Sequence, residues 1–167
     1  PTSPGQALAG LELPGPNPFI ASDLTLLEGQ DEQPSLILDT PTFTAWHMQE
    51  SRFDTPSVEW RVSLQNPTAS YSAEEAVLTR MLASWLNDSL SESLYPARLA
   101  GQGLSAYPHA RGITLAFSGW RDGQTPLIEQ TLEQLNTAPI TDSAFERVRY
   151  QLQREWRNAP QGSLYGQ

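Results

Sequence analysis

The sequence predicts an α+β fold, an antiparallel sheet with helices packed on one face. Strand-like and helix-like periodicities come in blocks (three strands, two helices, two strands, two helices) rather than alternating singly. The chain has 167 residues and no cysteine, which suits one hydrophobic core that needs no covalent staple.

Residues 1–34 carry Pro4, Pro14, Pro16, Pro18 and Pro34 together with four glycines. Proline fixes φ and removes a donor, so this stretch is neither a helix nor a central strand. It reads as an extended linker, with Leu11-Glu12-Leu13 and Phe19-Ile20 as short apolar anchors able to dock on a surface. Residues 35–167 read as one α+β domain. The opening PTSPGQALAG lacks a methionine, and the expectation is a piece of a longer protein.

Three strand-like runs follow. Residues 35–39 (SLILD) are short and apolar, and residues 42–48 (TFTAWHM) are rich in β-formers. Residues 57–65 alternate, with Val58, Trp60, Val62 and Leu64 against Glu59, Arg61 and Ser63, the period of a half-buried strand. Ser72-Ala73-Glu74-Glu75 is a capping box, and Leu78, Met81, Leu82, Trp85, Leu86 and Leu90 continue it as a helical stripe ending near residues 91–94. Pro96 suits the first turn of a short second helix and Gly101 its C-terminal cap. Residues 103–108 and 112–120 predict a β-hairpin. Thr125-Pro126 opens a third helix striped by Leu127, Ile128, Leu132 and Leu135. Residues 141–143 cap a fourth, striped by Phe145, Val148, Leu152 and Trp156 and stopped by Asn158-Ala159-Pro160.

The net charge is −9, and all ten bases are arginine. Such a chain repels phosphate backbones, which argues against nucleic-acid binding. The acidity lies in residues 1–140, with 16 acids against six arginines, whereas residues 141–167 hold three acids and four arginines. Arg147, Arg149, Arg154 and Arg157 read as a solvated helix face. No run has the length of a membrane span, and no secretory signal opens the chain, so no membrane partner is expected. A cysteine-free chain suits periplasm and cytoplasm equally.

Candidate chemistry is thin. His47 falls in a strand and His109 near a hairpin tip, and neither has a second histidine at ligand spacing. His109 reads as a solvent-exposed turn residue and His47 as a structural one. Glu74-Glu75 sits where a helix dipole favours carboxylates, which explains the pair better than acid–base catalysis. Ser118 lacks a nucleophile-elbow context, and a chain without lysine has no P-loop. Trp60, Trp85 and Trp156 are assigned to the core, while Trp46 and Trp120 stay open between core packing and an interface. The residues therefore predict no catalytic, cofactor-binding or metal-binding side chain.

Several stretches carry a resemblance. Leu11-Glu12-Leu13-Pro14-Gly15-Pro16-Asn17-Pro18-Phe19-Ile20 resembles the segment joining the two halves of the pitrilysin/insulysin-type zinc proteases, the M16 family. Residues 45–56 (AWHMQESRFDTP) resemble the element that follows it. Tyr95-Pro96-Ala97-Arg98-Leu99-Ala100-Gly101 resembles a family YxAxLAGL motif. Gly112–Leu115 with Ser118-Gly119-Trp120 resembles a strand that usually ends in Gly-Tyr, and Phe145–Val148 with Arg154–Asn158 resembles the last helix. Trp120 replaces the usual tyrosine, Ala21 a frequent proline, and Thr55-Pro56-Ser57 lacks the usual lysine.

The resemblance implies the third of four similar domains, which in that family close around a peptide-filled chamber. Zinc is then expected in the first domain, on a His-x-x-Glu-His helix. The equivalent helix here, residues 76–90, has no histidine, so no catalytic residue carries over. The implied partners are the other domains of the same protease and a peptide substrate. Two bacterial branches fit, pitrilysin itself and the coenzyme PQQ synthesis proteins that cut the cofactor's precursor peptide. The competing class is a zinc-free binding or scaffold protein built on the same fold.

Overall fold

The computed structural model describes residues 15–159. The Leu11-Glu12-Leu13 anchor lies outside the described residues. Five strands and four helices occur in the order β1 (Ser35–Asp39), β2 (Thr44–His47), β3 (Ser57–Gln65), α1 (Ala73–Ser93), α2 (Tyr95–Leu99), β4 (Gly103–His109), β5 (Gly112–Trp120), α3 (Gln124–Thr137) and α4 (Asp142–Asn158). A 3-10 turn, Arg121–Gly123, joins β5 to α3. The α+β class with antiparallel sheets and helices holds.

The strands form two sheets rather than one. β1 and β2 pair as a separate antiparallel ribbon with an irregularity between Leu36 and Leu38. β3, β5 and β4 form a three-stranded antiparallel sheet with β5 in the centre. The register opposes Trp60 to Phe117, Val62 to Leu115 and Leu64 to Ile113, and on the other side Leu104 to Phe117 and Ala106 to Leu115. One face of this sheet is therefore apolar, as the period of two requires.

That face is covered unevenly. α1 packs on β4 and β5, α3 packs on β5, and α4 lies along α1. The core joins Met81, Trp85, Leu86 and Leu90 of α1 to Ile113, Leu115 and Phe117 of β5, Leu127 of α3 and Val148 and Leu152 of α4. The helices stop short of β3, so Trp60 is 48 % and Leu64 47 % exposed, with only Val62 packed against the core. Trp60 and Trp156 are thus corrected from core to surface, at 48 % and 44 %, while Trp85 is buried. Leu78, Leu82, Leu132 and Phe145 also leave the core, because they lie at the margins of stripes wider than the faces the neighbouring elements cover.

Helix ends follow local chemistry. The Ser72 hydroxyl accepts the Glu75 N–H at 3.2 Å, and the Thr141 hydroxyl accepts the Ala144 N–H at 3.2 Å. α2 closes in a Schellman arrangement. The Gln102 N–H donates to the Ala97 carbonyl at 2.9 Å and the Gly101 N–H to the Arg98 carbonyl at 3.1 Å, with Gly101 at φ +79°.

Candidate functional site

The stretches singled out in the sequence for their motifs converge in space. Asn17 donates from Nδ2 to the Pro96 carbonyl at 2.8 Å and accepts the Phe19 N–H on Oδ1 at 3.0 Å. This turns the Phe19 ring into the core, where it is 2 % exposed, while Ile20 stays in solvent at 64 %. The Gln102 side chain, 3 % exposed, is the hub. Its Nε2 reaches the Trp120 carbonyl at 3.2 Å and the Phe19 carbonyl at 3.4 Å, and its Oε1 accepts Gln124 Nε2 at 2.5 Å. The remaining Gln124 oxygen is buried with no protein partner.

Backbones approach closely here. A Cβ on Gly119, at φ +135°, would meet the Gly101 carbonyl at 2.7 Å. The Trp120 indole lies over Gly101, so a Cβ there would fall 2.8 Å from Nε1. The glycines of both motifs are thus required by steric contact across the junction.

An ionic lock completes it. Asp122 Oδ2 accepts the Ser22 N–H at 2.7 Å, the Ser22 hydroxyl at 2.9 Å and the Asp23 N–H at 3.1 Å. These donors, led by the Ser22 N–H, hold the Asp122 carboxyl below its usual 3.8. Asp23 pairs with Arg121 at 3.0 Å, and its carboxyl is lowered first by its hydrogen bond from Thr25. Residues 17–23, assigned to the linker in sequence, are therefore seated on the domain.

The titratable candidates do not assemble. His47 stands exposed on β2, with Nδ1 4.0 Å from Asp31. His109 is corrected from an exposed turn residue to the partly buried last residue of β4. Its Nε2 lies 3.2 Å from the Ser63 hydroxyl, the distance of a serine–histidine pair. But its Nδ1 accepts the Arg111 N–H at 3.2 Å, so the neutral ring carries its proton on Nε2 and is a donor to Ser63, the wrong tautomer for a base. Glu75 keeps to the first turn of α1. Arg147 reaches across to Asp88 on α1, and Arg149 pairs with Glu146 on its own helix, so the basic face of α4 is in part a helix–helix contact.

Zinc needs three or four converging ligands. Among the described residues no three His, Asp or Glu side chains come together to hold a metal, and the sequence of α1 has the acids Glu74, Glu75, Asp88 and Glu92 but no histidine. The residues present do not fit the ion. Two hollows remain. One of about 140 Å³ lies between α1, α2, β4 and α3, where the Asn87 and Gln102 amides already serve protein partners. The other, about 360 Å³, is an open apolar groove beside Leu64, Leu82, Trp85, Leu135 and Ile140. No helix among the described residues is long and apolar enough to cross a membrane.

Comparison with known proteins finds similar chains over most of its length. The chain is 30 % identical over 151 residues to the insulin-degrading enzyme of Drosophila melanogaster, covering 89 % of this chain and 15 % of that protein. It is 26 % identical over 151 residues to nardilysin of Rattus norvegicus, covering 89 % and 13 %. Its fold superposes on the crystal structure of pitrilysin with a TM-score of 0.80 at 22 % identity, covering 92 % of this chain and 16 % of that one. The chain thus spans about a sixth or less of the length of these relatives. The sequence profile described as the middle or third domain of peptidase M16 matches residues 2–167, and the chain belongs to the M16 peptidases as that domain.

Proposed function

We propose that the chain is a non-catalytic, chamber-forming domain of a zinc metalloendopeptidase that acts on peptides, the zinc being held by another domain of the same polypeptide. The observation that carries this reading is the use made of the motif residues. Asn17, Gly101, Gly119 and the backbone beside them spend their polar groups and their small size on holding the junction together. None of them is left free to bind an ion or attack a bond. Residues 1–34 serve in this reading as the segment joining two halves of the protein, with residues 17–23 its anchored end, and residues 35–167 as the domain proper.

The narrower form of the reading takes a bacterial source and the precursor peptide of the PQQ cofactor as substrate. Its support is the lysine-free composition and the Trp120 departure. The complete gene tests both levels. An upstream His-x-x-Glu-His, stoichiometric zinc in its product and cleavage of a peptide that stops on chelation are expected. Neighbouring cofactor-synthesis genes are expected for the narrower form. A product without zinc or cleavage would leave a zinc-free scaffold.

A further inference from the structure

From Ile20 to Arg61 no described residue belongs to the core or to the partly buried shell around it. Residues 24–55 form an arm, built on the β1–β2 ribbon, that leaves the domain and returns to it at one place. At the outgoing end Ser22 and Asp23 are held by Asp122, and Asp23 is paired with Arg121. At the returning end the Pro56 carbonyl accepts the Arg121 N–H at 2.9 Å. The arm is closed above this root by the Asp31 N–H on the Gln49 carbonyl at 2.9 Å, the Gln49 N–H on Asp31 at 2.7 Å and the Ser51 N–H on Gln30 at 3.0 Å.

Its surface is unusual for one left in water. Leu36, Ile37, Leu38, Phe43, Trp46 and Phe53 are between 46 % and 74 % exposed. A two-stranded ribbon is marginal alone, and apolar patches of this kind mark contact surfaces. The arm also carries six acids (Glu28, Asp31, Glu32, Asp39, Glu50 and Asp54) against Arg52, which is already paired with Glu50.

We propose that this arm is the surface by which the domain docks on another domain of the same polypeptide, and that the docking site is an apolar patch rimmed by arginine or lysine. The inference rests on the reading of the chain as one domain of a longer protein. Three observations select this occupant. The relatives extend far beyond the matched region, so most of such a polypeptide lies outside this chain. The net negative charge of the arm disfavours a second copy and favours a basic rim. And the double root at Arg121-Asp122 fixes the direction in which the arm leaves, which lowers the ordering cost of docking.

Hydrogen exchange on two samples tests this, the 167-residue chain and the complete gene product. The amides of β1 and β2 are expected to exchange at least tenfold slower in the gene product, and those of β5 to differ little. Trp46→Glu and, separately, Leu38→Ser should remove that added protection while leaving the melting of the 167-residue chain unchanged. Equal ribbon exchange in both samples overturns the proposal. So does protection that appears in the short chain alone as its concentration rises, which would mean a second copy. Ribbon protection in a gene product without zinc or cleavage would sink the peptidase reading and keep the docking arm. Cleavage without protection would do the reverse.

Discussion

Replacing Phe19 by alanine removes the one aromatic ring that the segment before β1 places in the core. The ring is 2 % exposed, so nearly all of its surface is lost from the core on truncation. A buried aromatic side chain covers at least about 150 Å², which at about 25 cal/mol per Å² corresponds to about 4 kcal/mol, inside the ~3–5 kcal/mol typical of Phe→Ala in a core. For a domain of this size that is a fall in melting temperature of roughly 6–20 °C. The bonds around the ring decide how the loss appears. The Asn17, Gln102 and Asp122 contacts hold residues 17–23 from both sides of Phe19. The segment should therefore remain attached, and the core should lose stability as a whole. Urea denaturation followed by far-ultraviolet circular dichroism reads α1, α3 and α4 and gives the global value. Hydrogen exchange of the Ser22 and Asp23 amides reads the segment itself. A global loss below about 1 kcal/mol would refute the argument that Phe19 is an integral part of this core.

Gly119→Ala should cost about 2–4 kcal/mol by denaturation, because the backbone is left-handed and the new methyl meets the Gly101 carbonyl. Asp122 has a lowered pKa, so its grip on Ser22 and Asp23 is complete above about 3.8 and lost as pH falls through the lower folded-state value. The Ser22 and Asp23 amide resonances should shift in that acid window, and Asp122→Asn should abolish the shift. Asn87→Leu should lose about 1–3 kcal/mol, since it strips the Ala106 N–H and carbonyl of their partners at 2.8 and 2.7 Å. The Arg147–Asp88 pair is largely in solvent, and a double-mutant cycle should find no more than about 1 kcal/mol of coupling.

The periodicities located the elements well because they depend on local chemistry. The alternation of residues 57–65 and the capping box at Ser72 coincide with β3 and the start of α1. What they cannot supply is the cover over each face. Trp60 lies on the apolar face of β3 as its pattern requires, yet nothing packs over that end of the strand. Nor does local periodicity say which strands pair, and the expected single sheet divides into a ribbon and a three-stranded sheet. The junction was less legible. Phe19 shows as an apolar anchor in sequence, but Gln102 and Asp122 are ordinary polar residues there. They acquire a role only when the fold brings positions 83 and 100 residues apart into bonding distance. The Ser63–His109 contact was likewise invisible, since it joins the two edge strands across the face of β5.

The two edges of the three-stranded sheet differ in kind. On β4 the Asn87 amide occupies the outward N–H and carbonyl of Ala106, and Pro108, two residues on, has no N–H to offer. β3 is nine residues long, and the backbone groups of its alternate residues face outward beside a partly uncovered apolar row. A sheet open on both sides adds strands without limit and grows into fibres. One that is sealed on one side can join a single neighbour and then terminates. The amide of one helical asparagine therefore leaves β3 as the edge through which this three-stranded sheet, in the chain alone and concentrated, would pair with a neighbour.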